Sequence, residues 1–194
     1  MLQRIRKCFE SLNYSILHNE VEVDETYIGG RERNKNPWGV SKTKGTQGRS
    51  IKTKTPVIGM VERNGKLVSH IISDAKSDTL TTSILNFVDR DSIIYTDEWK
   101  GYSRIDKLYN HLFVKHKDCE FVKDKIYTNT IENFWGLLKR GLFGIYHNTS
   151  RKHLQKYIDE FVFRYNTRKY NDIQRFDILL TNTNCRLKYC ELVL

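Results

Sequence analysis

The chain has 194 residues, 39% of them hydrophobic and 12% aromatic, with 33 Lys and Arg against 23 Asp and Glu for a formal net charge of +10. That is enough apolar material for one packed domain, but no stretch approaches the ~20 consecutive apolar residues of a membrane span. The four cysteines, Cys8, Cys119, Cys185 and Cys190, form no CxxC pair, which argues against a zinc site and suits a reducing compartment with free thiols.

Residues 1–20 are a short lead-in with a weak helical pattern around Leu2, Ile5 and Phe9, too small to fold alone. Val21 to Ile28 alternates β-branched and polar residues and ends in Gly29-Gly30, which predicts a strand. Residues 31–54 are Gly-, Lys- and Thr-rich and read as a polar loop. Thr55 to Glu62 predicts a second strand, Asn64-Gly65 a tight hairpin turn, and Lys66 to Ile72 the return strand. Ser77 is placed to cap a helix reaching Val88, with Leu80, Ile84, Leu85 and Val88 on one stripe.

Ser92 to Tyr95 reads as a short apolar strand with Asp97 just past its end. A helix over 99–108, a strand from His111 to Val114, a polar loop over 115–129 and a helix from Thr130 to Leu142 follow. Ser150 then caps a long helix to Arg168, in which Leu154, Tyr157, Ile158, Phe161, Val162 and Tyr165 keep the helical period. The pattern is ambiguous from Tyr170 onward. Three antiparallel strands followed by alternating helices and parallel strands describe an α/β, RNase H-like mixed sheet flanked by helices.

The positive charge is concentrated. Residues 31–54 hold eight Lys and Arg against Glu32 alone, and residues 139–170 hold eight against Asp159 and Glu160. The remainder is net acidic. Two basic segments around an acidic centre suit a nucleic-acid groove beside a cation site, because neutralising phosphates releases counterions.

Three acids stand where such a site needs them. Asp24 lies in an apolar strand, where an unpaired carboxylate is costly. Asp97 follows the end of a strand, where open sheets place their sites. Glu132 begins a helix seven residues before Lys139, so the two share a face. Phe134, Leu137, Leu138, Gly141 and Leu142 fall on the other side, and Gly136 leaves room for a close backbone. Singly, each acid has a plainer reading: an edge acid for Asp24, a helix cap for Asp97, a complement to the helix dipole for Glu132. Trp135 reads first as a core residue and second as a base-stacking one. No Ser-His-Asp or Cys-His arrangement suggests a protein nucleophile.

The stretches EVDETYIGG (22–30), PVIGMVE (56–62), YTDEWKGY (95–102), TNTIENFWGLLKRGLFGIYH (128–147) and HLQKYIDEFVFRYNTR (153–168) resemble the DDE transposases of bacterial insertion sequences related to Merlin-type elements, the ISXO2-like transposase domains. The likeness spans roughly residues 20–180, and 34 residues separate Asp97 from Glu132, close to the spacing of that class. It implies an RNase H-like catalytic domain over 21–170 with a basic loop insertion at 31–54, preceded by a lead-in and followed by a tail at 171–194. It implies two Mg²⁺ or Mn²⁺ ions held by Asp24, Asp97 and Glu132, with Asp24 and Asp97 sharing one and Asp24 and Glu132 flanking the other. It further implies cleavage at element ends and strand transfer into target DNA.

On the same resemblance, Lys139, with His116 and Asn129, is expected at double-stranded DNA; the charge of the two basic segments adds Arg140, Lys42, Lys44, Arg49, Lys52 and Lys54. A homodimer or higher multimer on DNA is expected too, in the bacterial cytoplasm or a eukaryotic nucleus. The relatives begin with a zinc-ribbon or helix-turn-helix region, whereas this chain starts some twenty residues before Asp24, as a truncated copy would. A catalytically silent DNA-binding copy and an RNase H-fold nuclease are the competing expectations.

Overall fold

The computed structural model describes residues 2–10, 12–29, 51, 53–98, 100–114, 127–147, 149–184 and 188. The segments predicted as loops at 31–54 and 115–129 lie largely outside them.

Alternation of Val21 and Val23 with Glu22 and Asp24 builds β1 (Glu20–Ile28). Its antiparallel partner β2 (Thr55–Glu62) returns through Asn64, at a φ of 62°, into β3 (Leu67–Ile71). The asparagine tolerates that left-handed backbone, as the Asn-Gly signal requires. Two further strands, β4 (Ile93–Asp97) and β5 (Asn110–Val114), add in parallel on the far side of β1. The five-stranded order is β3-β2-β1-β4-β5, the mixed arrangement expected of an RNase H-like sheet.

The sheet is buried on both faces. Val21, Val23, Ile58, Met60 and Ile94 pack with α2 (Ser77–Phe87) through Leu80 and Ile84. Ile28, Val57, Val61 and Leu67 pack on the other face with α3 (Asn129–Gly144) and α4 (Leu154–Asn166). The even-numbered residues of β1 therefore point to α3, which puts Glu22 and Asp24 on that side.

Several expectations shift. The helix expected at 99–108 is two 3₁₀ turns, Lys100–Tyr102 and Ile105–Lys107. Tyr102 and Ile105, one in each turn, are both buried in the core under α2. Ser77 is the first helical residue of α2 rather than its cap, and the turn before it is ordered by Asp74, which accepts from the Thr79 hydroxyl at 2.7 Å. Leu137, expected on the buried stripe of α3, is half exposed; Ile131 and Trp135 face the sheet instead. Gly136 faces no backbone: a Cβ there would meet only the Arg140 guanidinium at 3.6 Å.

The lead-in forms α1 (Leu2–Glu10), docked on α4. Arg6 donates to Glu160 at 2.9 Å and lies over the rings of Tyr146 and Tyr157, while Phe9 meets Phe163 at 4.9 Å. Past Tyr170 the chain forms α5 (Asp172–Leu180), opened by a capping box between Asn171 and Gln174. The outer border of β3 is occupied by α4 side chains. Gln155 accepts from Ile71 N–H and donates to Ser69 C=O, and Asn166 does the same for the N–H and C=O of Leu67. Among the described residues, no helix is long and apolar enough to cross a membrane.

Candidate active site

Asp24 and Asp97 come together through strand register. Parallel pairing of β1 with β4 ends with Glu22 beside Tyr95, and Asp24 and Asp97 each follow two residues further along their strands, on the same face. Neighbouring strands are ~4.8 Å apart. Glu132 arrives from above, in the first turn of α3, with its side chain exposed.

The electrostatics record this approach. The Asp24 carboxyl is pushed up to about 6, chiefly by burial and next by the negative charge of Asp97, with a smaller push from Glu132. Two hydrogen bonds oppose the rise: the Glu25 N–H donates to Oδ1 at 2.8 Å and the Trp135 indole N–H to Oδ2 at 3.0 Å. Opposite Asp24 across the β1–β2 ladder stands Gly59, where a Cβ would lie 2.6 Å from the Trp135 ring. The missing side chain is what lets the indole reach the carboxylate. The close backbone approach expected at Gly136 is thus found at Gly59.

The acids interact pairwise, Asp24 with Asp97 and Asp24 with Glu132. Among the described residues, no group of three or more His, Cys, Asp or Glu side chains is gathered tightly enough to hold one ion. Hard carboxylate oxygens near one another are still the chemistry that Mg²⁺ or Mn²⁺ accepts, and Mg²⁺ takes one or two carboxylates and keeps several waters. The donor set therefore fits a hydrated divalent ion, though not a closed cage.

Lys139 is half-buried near Asp24. Burial and the repulsion of Lys54 lower its proton affinity, and the Asp24 charge partly restores it. Arg140 and Asn129 are exposed on α3. His116, Lys42, Lys44, Arg49 and Lys52 lie outside the described residues. Beside Asp97, Thr96 is fully buried; its hydroxyl meets His111 Nε2 at 2.7 Å and donates to the Asp97 carbonyl, and His111 is in turn held by Asp106.

One residue of the site was not anticipated. Glu22, wholly buried, accepts from the Thr130 N–H at 2.9 Å, the Ile131 N–H at 3.1 Å, the Thr130 hydroxyl at 2.9 Å and Arg63 Nε at 3.2 Å. It holds the N-terminus of α3, and hence Glu132, to the strand that carries Asp24. In the sequence, the only signal was that Glu20, Glu22 and Asp24 alternate along one face of β1.

A mixed sheet in this order, layered with helices on both faces, defines an RNase H-like fold. The chain belongs to the family of ISXO2-like transposase domains, whose profile matches residues 16–166. It is 30% identical over 102 residues to an uncharacterized transposase-like protein of Haemophilus influenzae, covering 52% of this chain and 81% of that one. It is 29% identical over 177 residues to an uncharacterized protein in transposable element ISH50 of Halobacterium salinarum, covering 84% of this chain and 58% of that one. Among solved structures, the HTLV-2 integrase catalytic core domain in complex with magnesium is similar at a TM-score of 0.41 and 13% identity, over 85% of this chain and 98% of that one. The Mos1 strand transfer complex is similar at a TM-score of 0.41 and 13% identity, over 94% of this chain and 58% of that one.

Proposed function

We propose that the chain is a transposase catalytic domain that cuts duplex DNA at element ends and joins the freed 3′-hydroxyl to target DNA. What carries this is the placement of Asp24 and Asp97 two residues beyond the last paired residues of neighbouring strands, with the Asp24 carboxyl raised by burial and by the charges of Asp97 and Glu132. Carboxylates brought into mutual repulsion at a basic surface make sense as ligands of a divalent cation.

Asp24 and Asp97 would hold one Mg²⁺ or Mn²⁺, and Asp24 and Glu132 a second. Such a pair supplies charge neutralisation at the phosphate and an activated attacking oxygen. Trp135 fixes the Asp24 carboxylate in one orientation, and Lys139 offers a cation to the DNA phosphate nearest the acids. Lys54 and Arg140 extend that positive surface, as would His116, Asn129, Lys42, Lys44, Arg49 and Lys52. A multimer on DNA belongs to the same reading.

The test is a labelled duplex carrying the DNA that flanks the reading frame, incubated with the protein and Mn²⁺ and run on a denaturing gel. Nicked and joined products are expected, and Asp97→Ala is expected to abolish both while leaving DNA affinity intact. Nicks without joined products would make the protein a nuclease of the same fold. A metal-independent mobility shift without cleavage would make it a DNA-binding copy and sink the proposal.

A further inference from the structure

We propose that Glu22 is a positioning residue for Glu132, so that one strand sets the place of both acids: Asp24 directly, and Glu132 through the tethered end of α3. The inference rests on the catalytic reading above.

A helix leaves its first N–H groups without partners inside the helix. At α3 the residue in the capping position, Thr128, makes no side-chain bond to them. The bonds come instead from the sheet, where Glu22 Oε2 accepts from Thr130 and Ile131 N–H. Glu132 is the next residue. The other oxygen, Oε1, accepts from the Thr130 hydroxyl and Arg63 Nε.

Arg63 is itself immobilised. It donates to Glu20 at 2.7 Å and to the Tyr127 carbonyl at 2.9 Å, and lies between the rings of Tyr95 and Tyr127 at 3.9 and 4.0 Å. Through it, the hairpin turn, β4 and the entry to α3 all converge on one buried carboxylate. Stability alone does not call for this, since a buried ion pair is often matched by well-packed apolar residues. An apolar residue at 22 would, however, release the helix end from the strand two residues before Asp24.

The experiment uses Glu22→Gln. The amide is nearly isosteric, but in either orientation its NH₂ faces a donor: Arg63 Nε one way, the Thr130 and Ile131 N–H groups the other. Amide exchange at Thr130 and Ile131 is expected to quicken about tenfold, with Leu138 in the same helix unchanged. In the nicking assay kcat is expected to fall about tenfold with KM for DNA unchanged. Adding Thr128→Asn, whose amide oxygen accepts from the same N–H groups at the capping position without setting a second negative charge beside Glu132, which the Thr128 hydroxyl meets at 3.5 Å, is expected to recover both. Should Glu22→Gln not fold, Arg63→Lys keeps the charge and loses the fork, and the same readouts apply.

Unchanged exchange at Thr130 and Ile131, or loosened amides with undiminished kcat, overturns the proposal. If the parent protein cuts nothing, the catalytic reading has failed, and Mn²⁺ affinity, read from the paramagnetic signal of the free ion, decides this one separately. A several-fold loss in Glu22→Gln that Thr128→Asn restores supports positioning. Equal affinities, or a parent that binds no Mn²⁺, overturn it.

Discussion

The indole N–H of Trp135 donates to Oδ2 of Asp24 across 3.0 Å, so a residue of the apolar core is also the partner of the most perturbed acid in the candidate site. The bond favours the carboxylate form and holds the Asp24 pKa below where burial alone would leave it. Trp135→Phe keeps most of the packing and removes the donor. The Asp24 pKa is expected to move above its present value of about 6, read by carboxyl ¹³C shifts in a pH titration. A downward shift, or none, would show that the bond does not matter in solution.

Asp24 also makes stability depend on pH. Its folded pKa, about 6, lies above the ~3.9 of an unfolded aspartate. The native state therefore holds the extra proton between those values. This stabilising contribution is full below pH ~4 and is lost as pH rises through ~6. Asp159, likewise pushed up to about 6 mainly by burial, acts in the same direction. Without divalent ions, Asp24→Asn is expected to raise stability at pH 7.5 by roughly 1–3 kcal/mol and to flatten the slope between pH 4 and 6. Urea midpoints across that range measure it. Mn²⁺ is expected to raise the Tm of the parent and not of Asp24→Asn; equal shifts would place the ion elsewhere.

Gly59 has no room for a side chain. The Cβ of Gly59→Ala would fall 2.6 Å from the Trp135 ring and 2.7 Å from the Ile131 methyl. Forcing α3 away from the sheet is expected to cost about 1–3 kcal/mol in urea unfolding. DNA cleavage should fall further than that loss explains, because Asp24 and Glu132 separate. Full activity in this variant would mean that the helix–strand distance is not critical.

Lys139 lies within the field of Asp24. If it contacts phosphate, Lys139→Ala should weaken binding to all duplexes alike and reduce the slope of log affinity against log salt by about 0.9. An unchanged slope, measured by fluorescence anisotropy over a salt series, would remove Lys139 from the interface.

Much of the sheet was legible because its strands are buried on both faces and bounded by turn residues. Thr55 to Glu62, an apolar run buried at six consecutive residues, and the Asn64-Gly65 turn fall where they were expected. The two aspartates were legible for a related reason: each sits in or beside an apolar strand, and strands that pair in register bring such residues level. Glu22 was not. Alternation marks it only as polar, and its burial depends on an arginine 41 residues later and a helix end 108 residues later. The Trp135–Asp24 bond was hidden similarly, since a tryptophan in a helix declares its bulk and not the direction of its N–H. The shift at Leu137 is of another kind, a few tens of degrees of helix rotation that a wheel does not settle. The capping box at Asn171 and Gln174 could have located α5, but Ile173, Phe176 and Leu180 remain exposed, so no buried stripe reinforced it.

The amides of Gln155 and Asn166 along β3 bear on how copies of this protein can meet. They stand in for a missing neighbour strand, engaging in advance the backbone groups that an incoming chain would need. Extending the sheet there, by a second subunit or by a misfolded segment, would first have to displace these two amides. The assembly on DNA proposed above would be built from side-chain surfaces or from the opposite margin of the sheet.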